Sequence, residues 1–175
     1  MFKKAFCLVL GFVLSAPALG AMIVHDVNNP YKWMTEGRSH TITHDLTDEG
    51  VPDDYRVVGA ALRLGFSDGY FHGDWSADWA RLSGEGVRGI WEVDGTHFFG
   101  YDIRWSRVRG DGIDSLNQNG LLDITITALH TRHGYNDFWW KTSKLIAKIE
   151  AVPEPGTLGL LGLGLLGLAL ARRRA

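Results

Sequence analysis

The densest group of possible metal ligands lies in one acidic segment, residues 44–54. Its five carboxylates are Asp45, Asp48, Glu49, Asp53 and Asp54. Carboxylate oxygens are the ligands that Ca²⁺ prefers, and calcium is the one cofactor this sequence suggests. The spacing is not that of an EF-hand loop, so the alternative is a solvated loop whose carboxylates cap turns. A second segment, residues 111–120, has Asn117 and Asn119 at loop-like positions but a serine where the first acidic ligand would stand, which favours a turn.

Two pairs of histidines have spacings that invite a zinc interpretation. His40 and His44 are four residues apart and would share one face of a strand, whereas His130 and His133 are three apart and would not. The sequence contains no His-Glu-x-x-His helix, and the domain that holds these pairs offers no thiolate. Ordinary surface or partly buried histidines are therefore the better interpretation.

The tryptophans exceed what the core of a small domain needs. The chain has seven, and all of them lie between residues 21 and 150. Exposed indole rings can stack on sugars, so glycan binding is predicted for Trp75, Trp79, Trp139 and Trp140. The last two are consecutive and would point to opposite faces of a strand, so that one belongs to the core.

Sequence signatures of catalysis are missing. The chain has no Gly-x-Ser-x-Gly elbow, no phosphate-binding loop and no dinucleotide fingerprint, so no catalytic residue is assigned and a non-enzymatic protein is predicted. The alternative is a secreted hydrolase of polysaccharides. That mechanism needs two carboxyl groups in a preformed cleft, one of them with a raised pKa.

The elements that must position these residues are strands. Apolar and polar residues alternate with period two in residues 56–66, 99–105, 122–128 and 145–150. The apolar face of the first segment would include Val58 and Phe66, and that of the second Trp105. Weaker strands are predicted at residues 23–27, 40–46, 79–82, 90–93 and 138–141.

Turn signals separate the predicted strands, among them Gly84-Glu-Gly86 and Asp94-Gly95. No stretch of this region shows a sustained helical period. Eight or nine short strands with frequent turns predict an all-β fold, an antiparallel β-sandwich of the jelly-roll kind.

Charge separates the middle of the chain from its ends. Residues 21–150 carry 13 Lys/Arg against 19 Asp/Glu, a net charge of −6, whereas the whole chain has −2. An acidic domain with scattered arginines argues against nucleic-acid binding. Its 130 residues are enough for one domain with a hydrophobic core.

The first 20 residues have the pattern of a secretory signal peptide. Lys3 and Lys4 precede an apolar stretch, and Ala18 and Gly20 supply the small residues expected before cleavage at Ala21. The sole cysteine, Cys7, lies inside this segment. The exported domain, residues 21–150, would therefore fold without a disulfide.

The last 25 residues, 151–175, are built like a sorting tail. Pro153, Glu154 and Pro155 form a rigid, extended spacer, and residues 156–171 form a short apolar stretch, predicted to be a transmembrane helix. The final cluster, Arg172, Arg173 and Arg174, would stay on the cytoplasmic side and stop export. Five glycines in the apolar stretch favour a transient anchor.

This tail resembles the PEP-CTERM sorting signal of Gram-negative bacteria, since the motif, the apolar span and the arginine cluster occur in the same order. The resemblance implies an exosortase-type membrane enzyme as the processing partner. It implies export through the inner membrane, transient anchoring with the domain outside, and release to the cell surface or the extracellular matrix. The function expected on this basis is a non-enzymatic structural or glycan-associated module linked to exopolysaccharide.

Overall fold

A computed structural model describes residues 21–52, 54–68, 78–93, 102–130, 136–152, 159, 162–166 and 172 of the chain. Among the described residues between 21 and 152 the fold is all-β and antiparallel, as predicted, with nine strands, one α-helix and a single 3-10 turn at Thr47–Glu49. The strands are β1 (Met22–Asn28), β2 (Lys32–Thr35), β3 (Ser39–Asp45), β4 (Tyr55–Asp68), β5 (Asp78–Gly84), β6 (Val87–Val93), β7 (Asp102–Val108), β8 (Leu121–Ala128) and β9 (Asp137–Ala151). The helix, α1, is Asp111–Gln118.

The strands form two sheets. One has the order β1-β9-β4-β7, with β2 also paired to β9, and the other has the order β3-β8-β5-β6. Apart from the short β2, the pairing is nested. The first strand pairs with the last, β3 with β8, β4 with β7, and β5 with β6 through the two-residue turn Glu85-Gly86. This nested order is that of a jelly roll.

The hydrophobic core lies between the two sheets. The five-stranded sheet contributes Leu62, Phe66 and Trp140, and the four-stranded sheet contributes Leu82 and Ile124, all at most 1 % exposed. Phe66 meets Phe138 edge-on, with ring centroids 5.6 Å apart. In β8 and at the end of β9, the apolar residues of the alternation seen in the sequence therefore form the inward face of the sheets.

The predicted inward face is wrong at Val58. This side chain is 42 % exposed, and Val57 is buried in its place. The cause is a β-bulge, because Val57 pairs with Ile149 and Gly59 pairs with Lys148, so that Val58 has no partner. One extra residue reverses the facing of every residue before it, which the period-two pattern cannot reveal.

The predicted face of β7 is also reversed. Trp105 is 56 % exposed, whereas its neighbour Ser106 and then Val108 point into the sandwich. Arg104 shares the inward face, where its guanidinium binds the carboxylate of Asp102 at 2.6 Å and the backbone oxygen of Glu92 at 2.5 Å. An inward charge on an edge strand is a known device against edge-to-edge aggregation.

The helix α1 is a further departure from the sequence expectation, which placed a turn there. Gly112 and Leu116, four residues apart, form its buried face. The side chain of Asn117 reaches from the helix to β4 and pairs with the backbone of Val57 as a neighbouring strand would. Its Oδ1 accepts the Val57 N–H at 2.7 Å, and its Nδ2 donates to the Val57 carbonyl at 3.2 Å. An eight-residue helix with two buried positions is too short to give a clear period in sequence.

Candidate functional site

A buried polar array joins the two sheets. His44 on β3 is 0 % exposed, and its Nδ1 lies 2.6 Å from the Asp26 carboxylate on β1. Its Nε2 lies 2.8 Å from the hydroxyl of Ser143 on β9. The backbone N–H of Asp45 donates to the same Asp26 oxygen at 3.1 Å. A carboxylate, an imidazole and a hydroxyl therefore stand in the order found in hydrolase triads.

Access decides what this array can do. Ser143 is 0 % exposed, because its side chain points into the interior between the sheets. A nucleophile must reach the carbonyl carbon that it attacks, and no substrate can approach a hydroxyl in this position. The Asp26–His44–Ser143 array is better understood as a polar fastener, which satisfies the buried imidazole and holds β1, β3 and β9 in register.

The electrostatics of His44 follow from its burial. Loss of solvent disfavours the imidazolium and lowers the pKa of His44, while the hydrogen bond and the charge of Asp26 act in the opposite direction and only partly offset this effect. The neutral ring fits the contacts, since Nδ1–H can donate to Asp26 while Nε2 accepts from the hydroxyl of Ser143.

The histidine pair suggested by the sequence does not converge on a metal. His40 lies on the same face of β3 as His44, but its ring meets Trp140 edge-on at 6.0 Å, and burial and the charge of Lys32 lower its pKa. His130 is bonded to Glu36 at 3.0 Å, and His133 lies outside the described residues. Within the described residues, no three side chains of His, Cys, Asp or Glu lie close enough together to hold a metal ion.

The acidic segment forms a turn. One carboxylate oxygen of Asp45 accepts the backbone N–H of Thr47 at 2.8 Å and its hydroxyl at 2.6 Å. Asp48 and Glu49 are exposed in the 3-10 turn, Asp54 is exposed beyond it, and Asp53 lies outside the described residues. This is capping geometry, the alternative that the sequence left open. Calcium at this segment stays a prediction.

The tryptophans predicted to bind glycan are distributed over different surfaces. Trp79 is 38 % exposed on the outer face of the four-stranded sheet, and Trp139 is half-buried on the outer face of the five-stranded sheet. Trp140 is 0 % exposed and donates its indole N–H to the backbone of Thr142. Its place in the core removes it from the predicted stacking set. Trp75 lies outside the described residues.

Trp139 belongs to an aromatic cluster, which we call the platform: Tyr31, Trp33, Trp139 and Lys141. Trp33 on β2 is directly opposite Trp139 in the ladder, and their ring centroids are 5.1 Å apart. The ammonium group of Lys141 lies 4.6 Å from the Trp139 ring and 5.5 Å from that of Tyr31, which is 55 % exposed. These are cation–π distances.

Sequence reasoning missed Tyr31, Trp33 and Lys141. The alternation of polar and apolar residues in Lys32-Trp33-Met34-Thr35 was the available signal, but four residues are too few to establish a period. Lys141 reaches the platform because it is the unpaired residue of a second bulge, between the pairs Gly65–Thr142 and Phe66–Trp140.

The tail is described in part. Residues 159 and 162–166 of the predicted apolar helix are helical and exposed, as is Arg172. Across the portions of the chain with described coordinates, no helix meets the length and hydropathy needed to span a bilayer. The signal peptide, Pro153, Glu154, Pro155, Arg173 and Arg174 lie outside these portions.

Comparison with known proteins identifies the tail. Residues 151–174 match the model of the PEP-CTERM protein-sorting motif, which confirms the resemblance seen in the sequence. A search of curated proteins gave no match.

Solved structures to which this chain is similar include that of FLHE, at 13 % identity and a TM-score of 0.37, with 76 % of this chain and 99 % of that chain covered. A carbohydrate-binding module from the glycoside hydrolase family 9 protein Cel9A of Ruminococcus flavefaciens FD-1 is 11 % identical, with a TM-score of 0.39, and the match covers 73 % of this chain and 98 % of the module.

The burial of His44 predicts a pH-dependent stability. Because its pKa is lower in the folded protein than the ordinary value of 6.5, the unfolded chain binds a proton first as the pH falls. Stability should be highest above this value and should decrease as the pH falls below it. Melting temperatures of the wild type and of His44→Gln, measured between pH 8 and 5.5, should show a flatter dependence in the less stable variant.

His25→Gln provides the control, since His25 is an exposed residue of β1. This variant should keep the pH dependence of the wild type. Equal slopes for the wild type and His44→Gln would show that His44 is not the group that titrates.

The calcium hypothesis predicts a shift in the melting temperature. Millimolar CaCl₂ should raise it relative to EDTA, and the double variant Asp48→Asn, Glu49→Gln should abolish the difference, because a bound ion stabilises only the folded state. The variant Asp111→Asn, Asp114→Asn, with two charges removed from α1, should retain it. An unchanged melting temperature in the wild type would exclude a calcium site of useful affinity.

Proposed function

We propose that this PEP-CTERM protein is a non-enzymatic surface or matrix module that associates with exopolysaccharide after an exosortase-type system has sorted it. The main observation behind this proposal is the sorting motif at residues 151–174, which indicates a protein that is exported from the cell. The signal-peptide pattern at residues 1–20 supports the same route. The exosortase-type enzyme is then the partner that acts on the tail.

The end of β9 supports a sorting motif that lies outside the folded domain. Ala151 is still paired, with Tyr55 of β4, and the Val152 N–H donates to the Asp54 carbonyl at 3.1 Å. Pro153, Glu154 and Pro155 follow immediately in the sequence. Cleavage at this motif would therefore remove no strand of the sandwich and would release it intact.

The platform supports association with glycans. Two indoles and a phenol side by side on an outer sheet face offer apolar surface to the C–H faces of sugar rings, and the Lys141 ammonium supplies a hydrogen-bond donor beside them. Trp139 is held by its ladder partner Trp33 and needs no rearrangement to bind. A preformed aromatic surface lowers the entropic cost of binding a flexible chain.

The hydrolase alternative has one observation in its favour, the triad-like order of Asp26, His44 and Ser143. Burial of the Ser143 hydroxyl weighs against it. A glycosidase of the usual kind would instead need two carboxyl groups about 5–10 Å apart in a cleft. These considerations favour the non-enzymatic module.

Sorting can be tested in a Gram-negative host that has an exosortase, with an epitope inserted after residue 21. The wild type should reach the surface or the medium in a shortened form. Replacement of Pro153, Glu154 and Pro155 by alanine should leave it full-length in the membrane fraction, because the extended backbone that the processing enzyme grips is lost. Glu150→Ala, at an exposed position just before the motif, should be sorted normally. Normal shortening of the triple variant would contradict the assigned role.

Glycan association predicts a loss specific to one sheet face. In pull-down with insoluble neutral polysaccharides and in calorimetry with soluble ones, Trp139→Ala should bind roughly tenfold more weakly, as expected for a central aromatic anchor. Trp79→Ala, on the opposite face of the sandwich, serves as the matched control and should bind as the wild type does. Equal losses in both variants, or no binding by the wild type, would contradict a platform-based function.

A further inference from the structure

A second surface with ligand-binding character lies along the edge of the sandwich formed by β6 and β7. There the free edges of β6 and β7 face each other, since each strand pairs with only one neighbour among the described strands. Between them is an open cleft of about 770 Å³. This volume falls within the range of roughly 300–1,000 Å³ that small-molecule sites occupy.

The cleft is defined by contacts at both ends and by small residues between them. At one end the Arg104 guanidinium donates to the Glu92 carbonyl at 2.5 Å. At the other, the Arg109 N–H donates to the Gly86 carbonyl at 3.0 Å. Gly89 and Ser106 lie between these two bridges and line the opening. A longer contact of 3.4 Å joins the Ser106 hydroxyl to the Arg88 carbonyl between these bridges, so that the two sheets are held at a fixed separation and the cleft opens beside the contacts.

Two indole rings line the cleft. Trp105 on β7 is 56 % exposed, which is unusual for the largest apolar side chain. Trp91 on β6 lies against the backbone of Gly89, so closely that a Cβ added to Gly89 would be 2.3 Å from the ring. Glycine at this position therefore sets where Trp91 can lie, and the ring is partly exposed beside the opening.

Positive charge collects at the same place. Arg88, Arg107 and Arg109 line the cleft and are exposed, and no ion pair of theirs is found within the described part of the chain. Asp111 contributes one negative charge. Three cations against one anion stand out in a domain whose net charge is −6.

The basic surface extends from the cleft across the outer face of the five-stranded sheet. Trp105 is directly opposite Arg63 on β4, which is directly opposite Lys144 on β9. Like charges directly opposite each other on neighbouring strands destabilise a sheet. Arg63 and Lys144 in one row with an exposed indole therefore favour an anionic ligand as their counter-charge.

We propose that this cleft and the row beside it bind an acidic polysaccharide whose sugar rings carry carboxylates. The guanidinium groups of Arg88, Arg107 and Arg109 offer paired N–H donors for the carboxylates, and the indoles of Trp91 and Trp105 take the apolar ring faces. The inference rests on the proposed function in one respect, namely that the protein meets saccharide chains outside the cell.

Charge density distinguishes this occupant from a nucleic acid. Duplex DNA has one charge per 1.7 Å and would be repelled by the acidic remainder of the domain. A uronate chain has at most one carboxylate per sugar ring, which fits a surface with few cations interleaved with aromatic rings. The cleft therefore suits a polyanion of low charge density that also offers apolar faces.

The test uses the exported full chain, purified in detergent, and polygalacturonate with its methyl ester as matched ligands. The ester keeps the ring and removes the charge. Calorimetry should show binding of polygalacturonate that weakens as salt increases, and binding of the ester at least tenfold weaker. Arg107→Gln together with Arg109→Gln should weaken the uronate interaction roughly tenfold or more and reduce its salt dependence. Trp105→Ala, and Gly89→Ala through displacement of Trp91, should weaken it further at any salt concentration.

Three controls separate this site from the alternatives. Arg38→Gln removes an exposed charge far along the sheet order, in the turn before β3, and should bind as the wild type does. Trp139→Ala should also retain uronate binding, since the platform lies at the β2 end of β9 and is not part of the cleft or its row. Vesicles with anionic phospholipid should not compete. Equal binding of acid and ester, unchanged binding by the arginine double variant, or competition by the vesicles would each overturn the proposal.

These results can be distinguished from a failure of the proposed function. If neutral polysaccharides bind through Trp139 while polygalacturonate does not bind, the surface module stands and the acidic-saccharide site is refuted. If polygalacturonate binds through the arginines while the tail variant is sorted without processing, the cleft stands and the sorting proposal fails.

Discussion

The ladder between β4 and β9 is the constraint on which the rest of the structure depends. These two strands, of 14 and 15 residues, pair from Tyr55–Ala151 to Asp68–Phe138 and bring together the two halves of the chain. Two bulges in the ladder decide which side chains form the core. One turns Val58 outward, and the other leaves Lys141 without a partner, so that Trp140 and Ser143 both point inward although they are an odd number of residues apart. The compositions of the core, the platform and the buried array all depend on which side chains these two bulges turn inward or outward.

The two sheets are linked differently at the two edges of the sandwich. Nested pairing leaves β1 beside β3 on one side and β6 beside β7 on the other, each with a free edge. On the first side His44 and Asp26 close the seam with a buried hydrogen bond, and a domain without cysteine gains a specific link between sheets. On the second side the links are Arg104 to Glu92, the Arg109 N–H to the Gly86 carbonyl, and a long contact of 3.4 Å from the Ser106 hydroxyl to the Arg88 carbonyl. The closed seam fixes the fold, and the open one leaves surface for a ligand.

The sequence was sufficient for what depends on short-range pattern. Period-two alternation located the strands, and the Gly84-Glu-Gly86 turn located a hairpin, because both are encoded by adjacent residues. The facing of Val58 depends on a bulge between β4 and β9, and that of Trp105 on the contact of the neighbouring Arg104 with the Glu92 carbonyl of β6. Both are properties of two strands and not of one. The same holds for the sites. Tyr31, Trp33 and Lys141 meet only through the register of β2 on β9, and Asp26, His44 and Ser143 come from three strands separated by up to 117 residues.

The two proposed ligand surfaces lie at different distances from the tail along β9. β9 runs from the platform at Trp139 to the tail at Ala151, and at about 3.3 Å per residue this is roughly 40 Å. The platform is therefore at the end of the long strand that is remote from the tail. The cleft is nearer the tail, because Trp105 is level with Arg63, and Arg63 is level with Lys144 on β9. Cleavage at Pro153–Pro155 would leave both surfaces on the released sandwich, because the motif follows the last residue of β9 in the sequence.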